Sequence, residues 1–177
     1  MNVLVIIGSA GKQSSGSRLM AMFGELTVPD FTIRIWEDLE SLPHFDPSLT
    51  SSFPANVAAI LSQIELADGV VFCTPEYIFS IPARLKNLLE WCVATTVFTD
   101  KPVGIITASA NGEQGHAQLQ LIMHTLGAKL SEDAQLLIKG IKGKFDSQGV
   151  LLDSDVLQAL VKFSAGFKIL LAERRNN

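Results

Sequence analysis

The chain has 177 residues, a length that favours one domain able to bury a core without staples. Apolar residues make up 47% and charged residues 18%, which excludes a disordered chain, because disorder needs few apolar groups and a high net charge. The net charge of −4 leaves no basic footprint for general nucleic-acid binding; the lysines of Lys139–Lys144 and the Arg174-Arg175 tail read as solvated surface.

Two cysteines, Cys73 and Cys92, lack CxxC spacing and make no disulfide framework, so a reducing, cytoplasmic setting is expected. No apolar run approaches the ~20 residues of a membrane span. The opening MNVLVIIGSAG lacks a basic stretch and reads as a first strand, not a signal peptide.

In chain order, Val3–Ile7 is continuously apolar, as a strand buried on both faces should be. A Gly/Ser-rich loop, 8–17, follows. Leu19, Met22, Phe23 and Leu26 then recur at helical spacing over 18–26. Phe31–Trp36 alternates and carries a charge, which places it at a sheet edge. Pro54–Leu66 is a second helix, with Val57, Ile60, Leu61 and Ile64 on one face. Val70–Cys73 is a buried strand. Ser80 is expected to cap a third helix with Pro82 in its first turn and an apolar stripe of Ile81, Leu85, Leu88, Leu89 and Cys92. Val103–Thr107 is another buried strand, 115–126 a fourth helix, and Ala134–Ile138 a fifth strand. Phe145–Gly149 is a turn. Asp153 or Ser154 opens a last helix striped by Val156, Leu160, Phe163, Phe167 and Leu170.

Strands alternating with helices mean βαβ units and a parallel sheet. Residues 1–177 read as a single α/β domain, a three-layer sandwich whose five strands take the doubly wound order 2-1-3-4-5. Ligands of such a sheet sit outside the carboxyl ends of its strands, near the switch between strands 1 and 3. The loops after Ile7, Cys73 and Thr107 are therefore where function is expected.

The first loop, Gly8 through Ser17, joins a buried strand to a helix start and offers amides and hydroxyls to an anion. Lys12 and Arg18 add local positive charge, which distant acidic groups beyond a Debye length of ~8 Å do not cancel. It is not a P-loop, since Gly11-Lys12 is followed by Gln13 and no glycine stands five residues before Gly11. The second loop, Thr74–Ser80, places the chain's only tyrosine beside Ile78-Phe79 in a stretch stiffened by Pro75. It can pack on a flat aromatic ligand or cover the end of the sheet. The third loop, Ser109–His116, is Gly-rich and opens a helix; His116 is a ligand donor or a surface cap.

Gly8-Ser9 through Ser14-Ser15-Gly16-Ser17, with Pro75-Glu76-Tyr77-Ile78-Phe79-Ser80-Ile81-Pro82-Ala83-Arg84-Leu85-Lys86-Asn87-Leu88-Leu89-Glu90-Trp91, resembles the NADPH-dependent FMN reductase family of flavodoxin-like quinone and azo-dye reductases. That family carries GSxR, a serine-rich loop and PEYN-x-S-x-P-x-x-LKN-x-x-(D/E)W. Ser109, Gly112 and Gly115 match its third loop, and Leu42–Pro47 and Phe145–Gly149 look like further family segments. Gly11 stands where the family has arginine, and Ile78 where it has the PEYN asparagine.

The resemblance implies a flavodoxin-like flavoprotein that moves a hydride from NADPH or NADH to FMN and then to a quinone-like acceptor. It places the FMN phosphate on Ser9, Lys12, Ser14, Ser15, Gly16 and Ser17. The isoalloxazine ring would lie against Pro75, Glu76, Tyr77 and Ile78, with Ser109, Gly112 and Gly115 on another side. It also implies a homodimer or homotetramer packed through the helix at Ile81–Cys92, with the segment around His44 approaching the partner's flavin. The flavin would carry the chemistry, so no catalytic side chain is expected. Glu76 reads as loop structure, Cys73 and Cys92 as inert packing, and His124 as structural or exposed. No metal cluster is expected, because His44, His116 and His124 lack ligand spacing with the cysteines. The alternatives are a flavin-binding electron carrier and a flavin-free interaction module. A receiver domain on the same fold would need acids after the first strand, and Ile7-Gly8-Ser9 has none.

Overall fold

The computed structural model describes residues 1–11 and 14–175. Five parallel strands form one sheet: β1 (Asn2–Ile7), β2 (Thr32–Trp36), β3 (Gly69–Thr74), β4 (Val103–Ser109) and β5 (Gln135–Lys139), in the order β2-β1-β3-β4-β5. The expected order is the observed one. The chain reverses direction across the sheet between β1 and β3, whose registers run Val3 to Gly69 through Ile7 to Cys73.

The strand faces sort the core into two clusters. Leu4, Ile6, Val70, Phe72, Val103 and Ile105 pack under α2 (Ala55–Leu66), α3 (Ala83–Cys92) and α4 (Glu113–Thr125). Val3, Val5, Ile7, Val71, Cys73 and Ile106 pack under α1 (Ser15–Thr27) and α5 (Ser154–Arg175). The period of two along each strand thus makes the three layers. The last helix buries Val156, Leu160, Phe163, Phe167 and Leu170 as its stripe predicts, and Asp153 opens it by accepting the Asp155 and Val156 amides at 2.9 and 3.2 Å.

Four local expectations are corrected. The face of α1 that is buried is Leu19, Met20, Phe23 and Thr27, while Leu26 is exposed. The edge strand β2 keeps its place but not a clean alternation, since Ile35 is exposed and Trp36 packs against the core. Ser80 does not cap α3, because its backbone is committed to a tight turn with Tyr77, and Pro82 takes the cap position instead. The stripe Ile81, Leu85, Leu88, Leu89 and Cys92 is buried entirely against the chain's own sheet and α2, so it has no surface left for a second subunit.

The LKN-x-x-x-W part of the long motif has a structural job. Asn87 accepts the Phe45 amide at 2.8 Å and donates to the Pro43 carbonyl at 2.9 Å, which the Trp91 indole N–H also reaches at 2.9 Å. The edge-on ring pair of Phe45 and Trp91 completes the clasp, which holds the exposed His44 segment on α3. Among the described residues no helix is long and apolar enough to cross a membrane.

Candidate functional site

A cavity of about 620 Å³ opens at the carboxyl ends of β1, β3 and β4, walled by the expected three loops and by a fourth segment. Its size is that of a site for a cofactor or drug-sized molecule.

The first wall is the end of β1 and the start of α1. Gly8 passes so close to β3 that a Cβ would fall 2.6 Å from Thr74 Oγ1. Ser14 caps α1: its Oγ accepts the Ser17 amide at 3.1 Å, and its carbonyl accepts the Arg18 amide at 3.2 Å. Ser15 and Gly16, in the first turn, have amides with no acceptor among the described residues, and both line the cavity. Gly16 lies on Cys73, where a Cβ would come 3.3 Å from Sγ. Ser9 and Gly11 also line the cavity. Ser17 Oγ instead forms a hydrogen bond with Ser14 Oγ at 3.1 Å and faces a smaller hollow with Glu37, Asp38, Glu40 and Arg84. The expected phosphate contact Lys12 lies outside the described residues. The Arg18 guanidinium packs flat on Gly149 of the 145–149 turn, where φ is +87° and a Cβ would fall 3.0 Å from Cζ.

The second wall is Pro75, Glu76 and Tyr77. Glu76 turns its carboxylate away from a ligand role. Oε1 accepts the Gly112 amide at 3.2 Å and Oε2 the Gly115 amide at 2.8 Å, both at the start of α4. The cap residue of α4 is Gly112, at φ +89°, which has no side chain to supply that oxygen. Glu76 therefore caps α4 from another loop, and its own amide donates to Ser109 Oγ at 3.2 Å. Gly115 must be small for this: a Cβ would lie 3.3 Å from Glu76 Cβ and from the Ser80 carbonyl oxygen.

Beyond Glu76 the chain folds into a tight turn closed by Tyr77 N–H to Ser80 O at 2.9 Å and Ser80 N–H to Tyr77 O at 3.1 Å. Its centre holds Ile78 at φ +51° and Phe79 at φ +56°. A turn with two positive φ values prefers Asn-Gly. The left-handed region costs a side-chain-bearing residue roughly 1–2 kcal/mol. Gln118 of α4 latches the turn, accepting from Ser80 Oγ at 2.7 Å and donating to the Phe79 carbonyl at 3.4 Å. Ile78 is 95% exposed and is not among the residues lining the cavity.

The third wall is Ala108, Ser109 and Ala110. Gly112 and Gly115, expected against the ligand, spend their amides on Glu76 instead and do not line the cavity. His116 is half-buried, with Nδ1 2.8 Å from Thr107 Oγ1, and burial pushes its pKa down. It is thus neither a cavity donor nor an exposed cap.

The fourth wall, Gly140–Gly143, was not foreseen. The Gly140 amide donates to the Ala110 carbonyl at 3.1 Å, and buried Ile141 anchors the segment beneath. The sequence signal was there: a single apolar residue inside Gly-x-x-Gly is unusual for solvated surface, but the flanking lysines mask it. Lys139 and Lys144 are ion-paired with Glu113 and Asp153, and Lys142 lines the cavity.

Burial pushes the Cys73 and Cys92 thiols up to about 12, so both are inert at neutral pH. No group of three or more His, Cys, Asp and Glu side chains among the described residues could hold a metal ion. Open amides at a helix start suit a phosphate, and the adjoining rigid walls suit a flat ring. An FMN molecule fits that donor set: its phosphate would meet amides that have no acceptor among the described residues.

Comparison with known proteins agrees with this geometry. Residues 1–142 match the family described as NADPH-dependent FMN reductase. The chain is 30% identical to an NADH:(hydroxy)cinnamate reductase subunit, CrdA, of Vibrio ruber, over 98% of this chain and 92% of that one. It is 29% identical to a quinone reductase of Escherichia coli strain K12, covering 90% and 89% of the two chains. It is 31% identical to an NADPH:quinone oxidoreductase of Arabidopsis thaliana, covering 86% and 83%. The flavoenzyme NAD(P)H:(acceptor) oxidoreductase FerB of Paracoccus denitrificans shares the fold, with a TM-score of 0.85 at 23% identity over 97% of each chain. A flavodoxin-like sheet with an open helix start at its switch point, and a family match across that whole region, lead to one conclusion: this chain belongs to the NADPH-dependent FMN reductase family, the NAD(P)H-dependent oxidoreductases that use FMN.

Proposed function

We propose that the cavity at the carboxyl end of the sheet binds FMN and serves two-electron reduction of a quinone-like acceptor by NADH or NADPH. The balance is NAD(P)H + H⁺ + quinone → NAD(P)⁺ + hydroquinone. The observation that carries the reading is the pair of amides at Ser15 and Gly16, without an acceptor among the described residues, in a cavity of cofactor size.

When bound, FMN supplies the ring that takes and returns the hydride. The chain's own residues bind and orient. The amides of Ser15 and Gly16 and the hydroxyls of Ser9 and Ser14 would hold the phosphate, helped by the positive end of the α1 dipole. Lys12 belongs to the same set by its place in the sequence. Pro75, the Glu76 backbone and Tyr77 form one side of the ring slot, and Ala108–Ala110 with Ser109 the other. Glu76 fixes the distance between those two sides, because its carboxylate and amide bridge the second and third loops.

Quinone reductases among the relatives support the acceptor class. Two buried free thiols suit a reducing, cytoplasmic setting. Self-association as a dimer or tetramer is part of this reading, through a surface other than the buried stripe of α3.

The test is an FMN titration of the purified chain, followed by anaerobic addition of NADH or NADPH and then a quinone. Bleaching near 450 nm by one nucleotide and recovery on adding quinone are expected. Failure of ~100 μM FMN to bind, a ceiling near −5.5 kcal/mol, would overturn the reading in favour of a flavin-free interaction module.

A further inference from the structure

The three lysines of 139–144 are not alike. Lys139 is ion-paired with Glu113 of α4, and Lys144 with Asp153 at the start of α5. Lys142 between them forms no ion pair among the described residues, and it lines the cavity. Among the described residues that line the cavity it is the only cation. The only acid there is Glu76, whose carboxylate is spent on the Gly112 and Gly115 amides. Gly11 brings no side chain to the cavity, and Arg18 packs on Gly149 and does not line it.

The packing of the fourth wall puts this cation beside α1. Ile141 and Phe145 are buried in the cluster that holds Leu19, Met20 and Phe23 of α1. The 145–149 turn meets Arg18 of the same helix. The Gly140 amide ties the other end of the segment to Ala110. Lys142 is thus carried in the layer of α1, whereas Glu76 and the second wall are fastened to α4 in the opposite layer.

Charge arithmetic gives such a lysine a role. A phosphate monoester carries about −1.5 to −2 charge at neutral pH. The positive end of a helix dipole supplies roughly +0.5. Amides and hydroxyls donate hydrogen bonds but add no net charge. About one negative charge is left for a cation, in a chain whose own net charge is −4.

We propose that Lys142 pairs with the FMN phosphate, so that the fourth wall distinguishes FMN from uncharged flavins. This rests on the reductase reading above. It reverses, for Lys142, the solvated-surface reading of this stretch.

The test measures Kd for FMN and for riboflavin, by flavin fluorescence, in wild type, Lys142→Met, Lys142→Arg and Lys139→Met. Lys142→Met should bind FMN about tenfold more weakly and riboflavin as wild type does. Lys142→Arg, which keeps the charge, should retain most of the FMN affinity. Lys139→Met removes an already paired charge from the same segment and should leave FMN affinity within about twofold. Unchanged FMN affinity in Lys142→Met, or an equal loss in Lys139→Met, would overturn the pairing while leaving FMN binding intact. Equal losses for FMN and riboflavin would mean that Lys142 packs on the uncharged part of the flavin, and would overturn it as well. So would a Lys142→Met that keeps its FMN affinity but raises KM for NADPH and not for NADH, because the phosphate recognised would then belong to the nucleotide. Absence of FMN binding in wild type would overturn the reductase reading and this proposal together.

Discussion

Helices α1 and α4 both begin at the cavity, and their first turns are finished differently. At α4 the cap residue is a glycine and a carboxylate from another loop fills the anion position, with Glu76 on the Gly112 and Gly115 amides. At α1 the Ser14 hydroxyl satisfies Ser17, while the Ser15 and Gly16 amides, on the cavity wall, have no acceptor among the described residues. The same backbone chemistry is thus closed by the protein at α4 and, among the described residues, left open at α1, as the proposed phosphate site requires. A glycine-rich helix start is not enough to locate a phosphate; what matters is whether the chain already supplies the anion. The amino end of the sheet repeats the closed case with the opposite sign. There Lys101, 2% exposed, donates to the Glu65 and Ala67 carbonyls at 3.0 and 2.7 Å and caps the C-terminus of α2.

The strongest way to break the contrast is to close α1 as α4 is closed. Ser15→Asp should weaken FMN binding by about a hundredfold, because a carboxylate would face the phosphate at short range. The same variant should fold normally, since an acid in a first helical turn is favourable. Equilibrium titration and a melting curve read both effects.

The converse is to open α4. Glu76→Ala should cost about 2 kcal/mol of stability, from two charge-assisted hydrogen bonds and a helix cap. Glu76→Gln, which keeps an acceptor but not the charge, should cost about 1 kcal/mol. Denaturant unfolding measures this. No loss in Glu76→Gln would show that the charge contributes nothing, and equal losses in both variants that the neutral acceptor contributes nothing.

A smaller effect belongs to Lys101. Burial holds its pKa down at about 8, against 10.5 for the free side chain. Between those values the unfolded chain binds more protons, so raising the pH favours the folded state. Wild-type stability should therefore rise from pH 8 to about 10.5 relative to Lys101→Met, a difference that parallel urea titrations at several pH values resolve. The smallest effect is at His116, whose pKa burial lowers. Protonation there favours the unfolded chain, so wild type should lose stability on acidification through the ordinary histidine range, and His116→Gln should lose less.

The strands were legible because β1, β3 and β4 are buried on both faces and so read as unbroken apolar runs. Edge strand β2 was legible in place but not in facing, because only its contact with β1 orders it and Trp36 reaches the core from the strand's end. Pro75, Glu76, Tyr77 and Ser109 could be placed from their loops. The reassignment of Gly112 and Gly115 could not, since it depends on a carboxylate from a loop more than thirty residues away. Ser80 illustrates the same limit: a serine just before a helix is a good cap until the turn that holds it takes its backbone. Gly140–Gly143 was hidden by its lysines, which read as surface although the segment is anchored by buried Ile141.

The measurement that bears most directly on the open start of α1 is the ratio of FMN to riboflavin affinity, taken by fluorescence quenching in wild type and Ser15→Asp. The two ligands differ only by the phosphate. FMN should bind wild type at micromolar concentration or tighter, riboflavin at least about a hundredfold more weakly, and Ser15→Asp should erase the difference. Equal affinity for FMN and riboflavin in the wild type would contradict a phosphate held by the Ser15 and Gly16 amides.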